Sequence, residues 1–360
     1  MKQLADARLK AEEMLSGFIA AGAVRLDCEI LQPAETLLDL YGEDIRTRAY
    51  TVQDPSRGEL MLRPDFTVPV VQMHMTVGAD PARYAYAGMV FRRQEEDDSR
   101  ASEYWQVGYE IFGEDRAEAD AEAFVTLAGQ LQGLPVAPVT GDIGILSAAV
   151  AGLDTTDARK AALMRHIWRP RRFRALLDRF SGKGKPSAAR KALLASDAPL
   201  SDDVPMIGLR SGAEITARIT ALRDDAAAAP LSADQVALLD SILNVRETAP
   251  FALEQLRDIS VDLPAIVPAL ERFSARCDAL SAKGVDVDAL AFEGSYGRTS
   301  MEYYDGFVFG FVPERQPDLG PVAMGGRYDA LVARLGQGRE IPAVGGVIRP
   351  DLICRLEDRA

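Results

Sequence analysis

Apolar positions along the chain change period several times, and each period predicts an element. Leu4, Ala7, Ala11, Leu15 and Phe18 recur at three- and four-residue intervals among scattered charges, which predicts an amphipathic N-terminal helix. A short apolar segment over 24–31 follows, then Pro33 and a helical stretch over 35–41. Residues 47–53 and 59–63 flank Asp54-Pro55-Ser56-Arg57-Gly58, where proline and glycine set a turn, so they read as a hairpin. It leads into Leu62-Arg63-Pro64-Asp65-Phe66-Thr67 and a helical run over 68–75. From the residues alone, Asp65 or Thr67 ahead of such a run reads first as an N-cap.

The stretch 84–113 organises the rest. Its outer thirds carry aromatic and β-branched residues and its middle is a charged, glycine-free loop of about eight residues, which predicts strand, loop, strand. Residues an even number apart share a face of a strand, so Gln106, Gly108 and Glu110 present two polar heads with a bare patch between them. A site for a small polar ligand needs that combination.

Further on, 116–131 predicts an Ala-rich amphipathic helix and 137–143 a strand. From about 153 to 258 the pattern turns to Ala- and Arg-rich helical segments broken by Pro, Asp and Ser. A helix over 263–283 precedes strands over 290–293 and 302–312, and Gly325-Gly326-Arg327-Tyr328-Asp329-Ala330-Leu331 opens another helix. The expectation is an α+β fold with an antiparallel sheet flanked by helices. Residues 1–150 and 260–360 would form one discontinuous core, with 151–259 as an α-helical insertion.

Composition narrows the chemistry. The 360 residues carry a formal net charge of -13, a field that disfavours nucleic acid. Arg169-Pro170-Arg171-Arg172 is the one basic cluster; without interleaved aromatics it reads as a solvated helix face with local salt bridges rather than a phosphate contact. Cys28, Cys277 and Cys354 are odd in number and far apart, which points to a reducing compartment. His74 and His166 have no ligand partners at metal-binding spacing, so no metal site is expected. No signal peptide or membrane span is visible, and a cytoplasmic protein is expected.

Several blocks of the chain resemble histidyl-tRNA synthetases, a class II aminoacyl-tRNA synthetase family. One runs Phe91-Arg92-Arg93-Gln94, then Arg100, Gln106, Gly108, Glu110 and Phe112-Gly113, with Gln94 where the family has glutamate, Ser102 where it has an arginine, and Tyr104-Trp105 for a Phe-His pair. Residues 62–67 match a segment that gives the bound amino acid a carboxylate and a hydroxyl, here Asp65 and Thr67, with Phe66 replacing a glycine. The stretch 296–309 matches a histidine-specific signature through Tyr303, Tyr304, Gly306, Val308 and Phe309. There the family's activating arginine falls on Thr299 and its aspartate on Glu302, with Arg298 one residue away and expected on the opposite strand face. In 342–352 the glycine that admits adenine is Arg349 and the ATP-clamping arginine is Leu352.

The resemblance implies a class II synthetase-like core and a histidine pocket of Asp65, Thr67, Arg92, Gln106, Glu110, Tyr303 and Tyr304. Asp65 and Glu110 would meet the ammonium group or ring, Gln106 would hydrogen-bond, and the two tyrosines would wall the imidazole. Arg92 would face the carboxylate or an effector phosphate, or else form a buried salt bridge with Glu110 or Glu302. An amino-acid pocket kept while the nucleotide apparatus is lost is the profile of the ATP phosphoribosyltransferase regulatory subunits, a family paralogous to the synthetases. It implies no catalytic residues, no cofactor and no metal. The partner would be a short-form catalytic subunit, the chain itself a homodimer, and histidine the effector. Two other readings stand beside it: an aminoacyl-adenylate-forming enzyme acting on a non-tRNA acceptor, and a histidine-binding or scaffold module.

Overall fold

The computed structural model describes residues 2–41, 45–93, 101–114, 116–184, 186–197, 199, 208–299 and 303–358. The N-terminal stripe forms the helix Lys2–Ala20, and Ala7, Ala11, Leu15 and Phe18 are buried along it. Among the described residues twelve strands follow: β1 (Val24–Arg25), β2 (Leu31–Pro33), β3 (Thr51–Asp54), β4 (Gly58–Leu62), β5 (Ala82–Phe91), β6 (Glu103–Phe112), β7 (Val136–Asp142), β8 (Arg246–Thr248), β9 (Ala291–Glu293), β10 (Phe307–Pro313), β11 (Ala323–Arg327) and β12 (Ala343–Ile348). Nine form one sheet in the order β1-β5-β6-β12-β11-β10-β7-β9-β8, and β2-β4-β3 form a small second sheet. The pairs β1 with β5 and β7 with β9 are parallel and the rest of the large sheet is antiparallel.

The two faces of the large sheet do different work. Tyr109 of β6 packs on Phe18 at 5.5 Å and donates to Glu122 at 2.7 Å, while Phe309 of β10 packs on Phe124 at 5.4 Å. That face is therefore covered by Lys2–Ala20 and Arg116–Gly129. On the other face β5 and β6 pair along their full length, setting Tyr84 opposite Glu110, Tyr86 opposite Gly108 and Gly88 opposite Gln106. Alternation then sends Gln106, Gly108 and Glu110 away from the helices.

The helical stretch is tied to this core by continuous apolar packing: Leu163, Phe173, Leu177, Leu239 and Ile242 belong to the same buried cluster as Tyr86, Val107 and Phe309. Helices Asp157–Arg165, Ala188–Ala195, Gly212–Ala227 and Ala233–Asn244 start at serine or threonine caps, and Ser211 with Glu214 and Ser232 with Gln235 complete capping boxes. Arg159, 6% exposed, is its polar hub, bonded to Asp225 at 2.7 Å and to the Ala229 carbonyl at 2.6 Å.

Some local expectations are corrected. Residues 47–48 lie in the short helix Ile45–Arg48, outside the hairpin. The segment 151–259 is not wholly helical, because Arg246–Thr248 pairs with β9 as an edge strand. The strand expected over 302–312 begins at Phe307, since Asp305 is drawn out of it: its amide donates to the Arg327 carbonyl and its carboxylate accepts from Ala330. Tyr303 and Tyr304 thus precede the strand. Residues 294–299 form turns, so strand alternation does not govern Arg298. Gln94, Arg100 and Glu302 lie outside the described residues.

Candidate functional site

Glu110 is the centre of the site. It is 1% exposed, and its two carboxylate oxygens accept from the Tyr86 hydroxyl at 2.8 Å and the Tyr328 hydroxyl at 2.7 Å. Burial pushes its pKa up to about 7 against the pull of the two hydroxyls, and the nearby charge of Asp65 pushes the same way. Gly345, the register partner of Glu110 on β12, must be bare, because a Cβ there would run into the carboxylate.

The patch above Gly108 is not open. The ring of Tyr86 lies against it, and Phe66 stacks on that ring at 4.3 Å and 12°. Arg63 covers the other side of Phe66 at 4.0 Å and is held by the carbonyls of Met89 at 2.8 Å and Cys28 at 2.5 Å. Phe66 and Arg63 also occupy the space above Gly88. The bare patch expected between Gln106 and Glu110 is therefore filled by the protein's own aromatics. The available signal was an aromatic residue opposite a glycine in the hairpin register, where ring and bare backbone complement each other. Tyr86, Tyr328 and Arg63 were given no role by the sequence reading.

Thr67 and Tyr303 share a hydrogen bond at 3.2 Å, and Tyr303 stands edge-on to Tyr304 at 4.9 Å and to Tyr328 at 6.1 Å. The N-cap of the helix Thr67–Val77 is Phe66, with no side-chain cap bond, and Asp65 reaches the Val68 amide only at 3.5 Å. The capping reading therefore holds for Asp65 only as this one long bond, and Thr67 is the first residue of the helix rather than its cap. Arg92 does not pair with Glu110, whose oxygens the tyrosines hold; its Nε donates to the Pro64 carbonyl at 2.7 Å.

Beside this closed cluster lies a cavity of about 1410 Å³ lined by Arg92, Gln106, Tyr104, Tyr296, Arg349 and Arg355. The seven expected pocket residues therefore divide: Arg92 and Gln106 line the cavity, while Asp65, Thr67, Glu110, Tyr303 and Tyr304 do not. Gln106 is 2% exposed, and its Oε1 is buried with no hydrogen-bond partner among the described residues. At the far end the Arg349 guanidinium lies 4.0 Å over the Tyr104 ring and bonds Asp351 at 2.9 Å, Leu352 is buried, and Thr299 stands in the wall.

Arg298 turns away from the cavity. It is 4% exposed, donates to the Ile167 carbonyl at 2.7 Å and lies 4.8 Å over the Phe173 ring. Trp168 donates to the Tyr304 carbonyl at 3.1 Å, so two bonds fasten the turn at 167–168 to the loop that carries the tyrosines. His74 is a structural residue, its ring bonded to Tyr84 at 3.1 Å and Asp80 at 3.0 Å. Among the described residues no group of three or more side chains could hold a metal ion, and no helix is long and apolar enough to cross a membrane.

The large mixed sheet that carries this cluster and cavity is a histidyl-tRNA synthetase-like core. The histidyl-tRNA synthetase family model matches residues 2–199 and 216–353. In fold the chain is similar to an ATP phosphoribosyltransferase regulatory subunit/histidyl-tRNA synthetase from Bacillus halodurans, with a TM-score of 0.68 at 21% identity over 98% of this chain and 79% of that one. A histidyl-tRNA synthetase from a Nostoc species gives 0.65 at 15% identity over 98% and 73%. In sequence it is 32% identical to the ATP phosphoribosyltransferase regulatory subunit of Agrobacterium fabrum over 93% of each chain, and 30% identical to that of Sinorhizobium fredii over 96% of each. The chain belongs to the ATP phosphoribosyltransferase regulatory subunit family.

Proposed function

We propose that this chain is the non-catalytic regulatory subunit of ATP phosphoribosyltransferase, required by a separate short-form catalytic subunit in the first step of histidine biosynthesis and responsive to histidine. The chain works in the cytoplasm, as a homodimer within the hetero-oligomer. The observation that carries the absence of chemistry is the nucleotide end of the cavity. The Arg349 guanidinium, stacked on Tyr104 and held by Asp351, stands where the synthetases admit adenine, and apolar Leu352 and neutral Thr299 stand where they place arginines. Neither Leu352 nor Thr299 supplies the fixed positive charge that phosphoryl transfer needs.

Histidine enters the cavity against Gln106 and Arg92. The buried, unpartnered Oε1 of Gln106 calls for a donor such as an ammonium or imidazole N–H, and Arg92 supplies a cation for the carboxylate. Asp65, Thr67, Glu110, Tyr303 and Tyr304 form a closed cluster beside the cavity and do not touch the ligand. Feedback then requires histidine to bind one state of the complex more tightly than the other, since equal affinity shifts nothing.

The experiment mixes the chain with a short-form catalytic subunit and follows co-elution and phosphoribosyl-ATP formation with and without histidine. Co-elution, raised turnover and suppression by histidine are expected; unchanged turnover in the mixture removes the reading. Amino-acid-dependent exchange of pyrophosphate into ATP by the chain alone would instead favour an adenylate-forming enzyme.

A further inference from the structure

Two sets of arginines stand out in the helical segment. Arg159, Arg174, Arg179 and Arg190 are neutralised internally, by Asp225 or by Asp178 and Asp240. Arg165, Arg171 and Arg172 are exposed, and no carboxylate among the described residues pairs with them. The local salt bridges expected at the cluster Arg169-Pro170-Arg171-Arg172 are thus found beside it at Arg174, while Arg171 and Arg172 pair with no carboxylate among the described residues.

Two features mark this charge out. The helix Pro170–Phe180 has no acidic residue in its first turn and places Arg171 and Arg172 there, against the sense of its own dipole. Burial and the charges of Arg169, Arg172 and Arg165 together hold His166 below the ordinary imidazole range, so the cations bear on one spot. In a chain of net charge -13, Arg165, Arg171 and Arg172 stand together with no paired carboxylate among the described residues.

We infer that the turn at residues 165–172 is the docking surface for a carboxylate-rich face of the catalytic partner, contacted through Arg165, Arg171 and Arg172. The inference rests on the regulatory-subunit reading and names the surface by which that assembly forms. A protein face fits better than nucleic acid: the overall charge repels a long polyanion, and the nearest large aromatic, Trp168, is partly buried with its N–H given to Tyr304. The place also suits a regulator. The bonds from Trp168 to Tyr304 and from Arg298 to Ile167 fasten this turn to the loop behind the cavity, so a partner seated here presses on the wall of the proposed histidine site.

The test compares three full-length proteins, the wild type, Arg171→Glu/Arg172→Glu, and a control that reverses two exposed arginines elsewhere, Arg218→Glu/Arg257→Glu. Thermal melts verify that each is folded. Affinity for the short-form catalytic subunit is then measured by titration calorimetry at low and high salt. Reversal at 171 and 172 is expected to weaken binding by about tenfold or more at low salt, with a smaller penalty at high salt, while the control pair matches wild type. Equal affinities for both double variants overturn the docking surface and leave the regulatory reading standing. A wild-type chain that does not bind the catalytic subunit removes both. Loss of binding to an RNA oligonucleotide in the 171/172 variant, with partner binding intact, overturns the assignment to a protein.

Discussion

Tyr86 lies ring-on against Gly108, its register partner across the hairpin, and from that position its hydroxyl reaches Glu110. One cross-strand pair therefore closes the patch above the sheet and satisfies half of a buried carboxylate. A Cβ at 108 would meet the ring directly. Gly108→Ala is expected to destabilise the fold by about 1–3 kcal/mol through overpacking, measured by urea unfolding. Unchanged stability would mean the ring does not sit there.

Glu110 makes the stability of the chain depend on pH. Its folded pKa, about 7, stands above the ordinary 4.5, so the native state holds a proton that the unfolded state releases. That contribution is fully present below about 4.5 and is lost as pH rises through about 7. Asp305, raised to about 6 chiefly by burial, adds to the same trend. Comparing wild type with Glu110→Gln isolates the first group: the gap in melting temperature should change between pH 4.5 and 7 and be flat below. A gap that is constant across the whole range contradicts the assignment.

Asp225 holds Arg159 in the helical segment, and Arg179 and Arg190 also converge on it. Asp225→Ala leaves a buried guanidinium uncompensated and should cost about 3 kcal/mol. Trp168 lies in the same segment, so its fluorescence during urea unfolding reports the loss directly.

Arg92 and Gln106 are the two expected pocket residues that line the cavity. Arg92→Ala should raise the histidine concentration needed for inhibition by about tenfold, the worth of one charge-assisted hydrogen bond. Activation of the catalytic subunit without histidine should be retained. Unaltered histidine sensitivity in both Arg92→Ala and Gln106→Ala would move the effector away from this cavity.

Much of the fold was legible because its signals are periodic and local. The stripe from Ala7 to Phe18, the turn at 54–58 and the alternation of 84–113 each state an element without reference to the rest of the chain. The edge strand Arg246–Thr248 was not legible, because three residues carry no period and become a strand only when β9 supplies the partner. The late start of β10 depended on Asp305 bonding across to Arg327 and Ala330, a contact with no local sign.

The sequence by itself singled out Asp65, Thr67, Arg92, Gln106, Glu110, Tyr303 and Tyr304 as candidates, since they stand in blocks whose order and spacing are one-dimensional information. Only the tertiary structure decided which of them meet open space. Side-chain identity says what a group can bond, but whether it is already bonded depends on neighbours distant in the chain. Tyr328, far from Glu110 in sequence, occupies the oxygen that the sequence left free, and Phe66 and Tyr86 fill the gap that Gly108 seemed to offer. What stays open is the space before Gln106 and Arg92, lined by residues of seven strands and two α-helices that come together only in the fold.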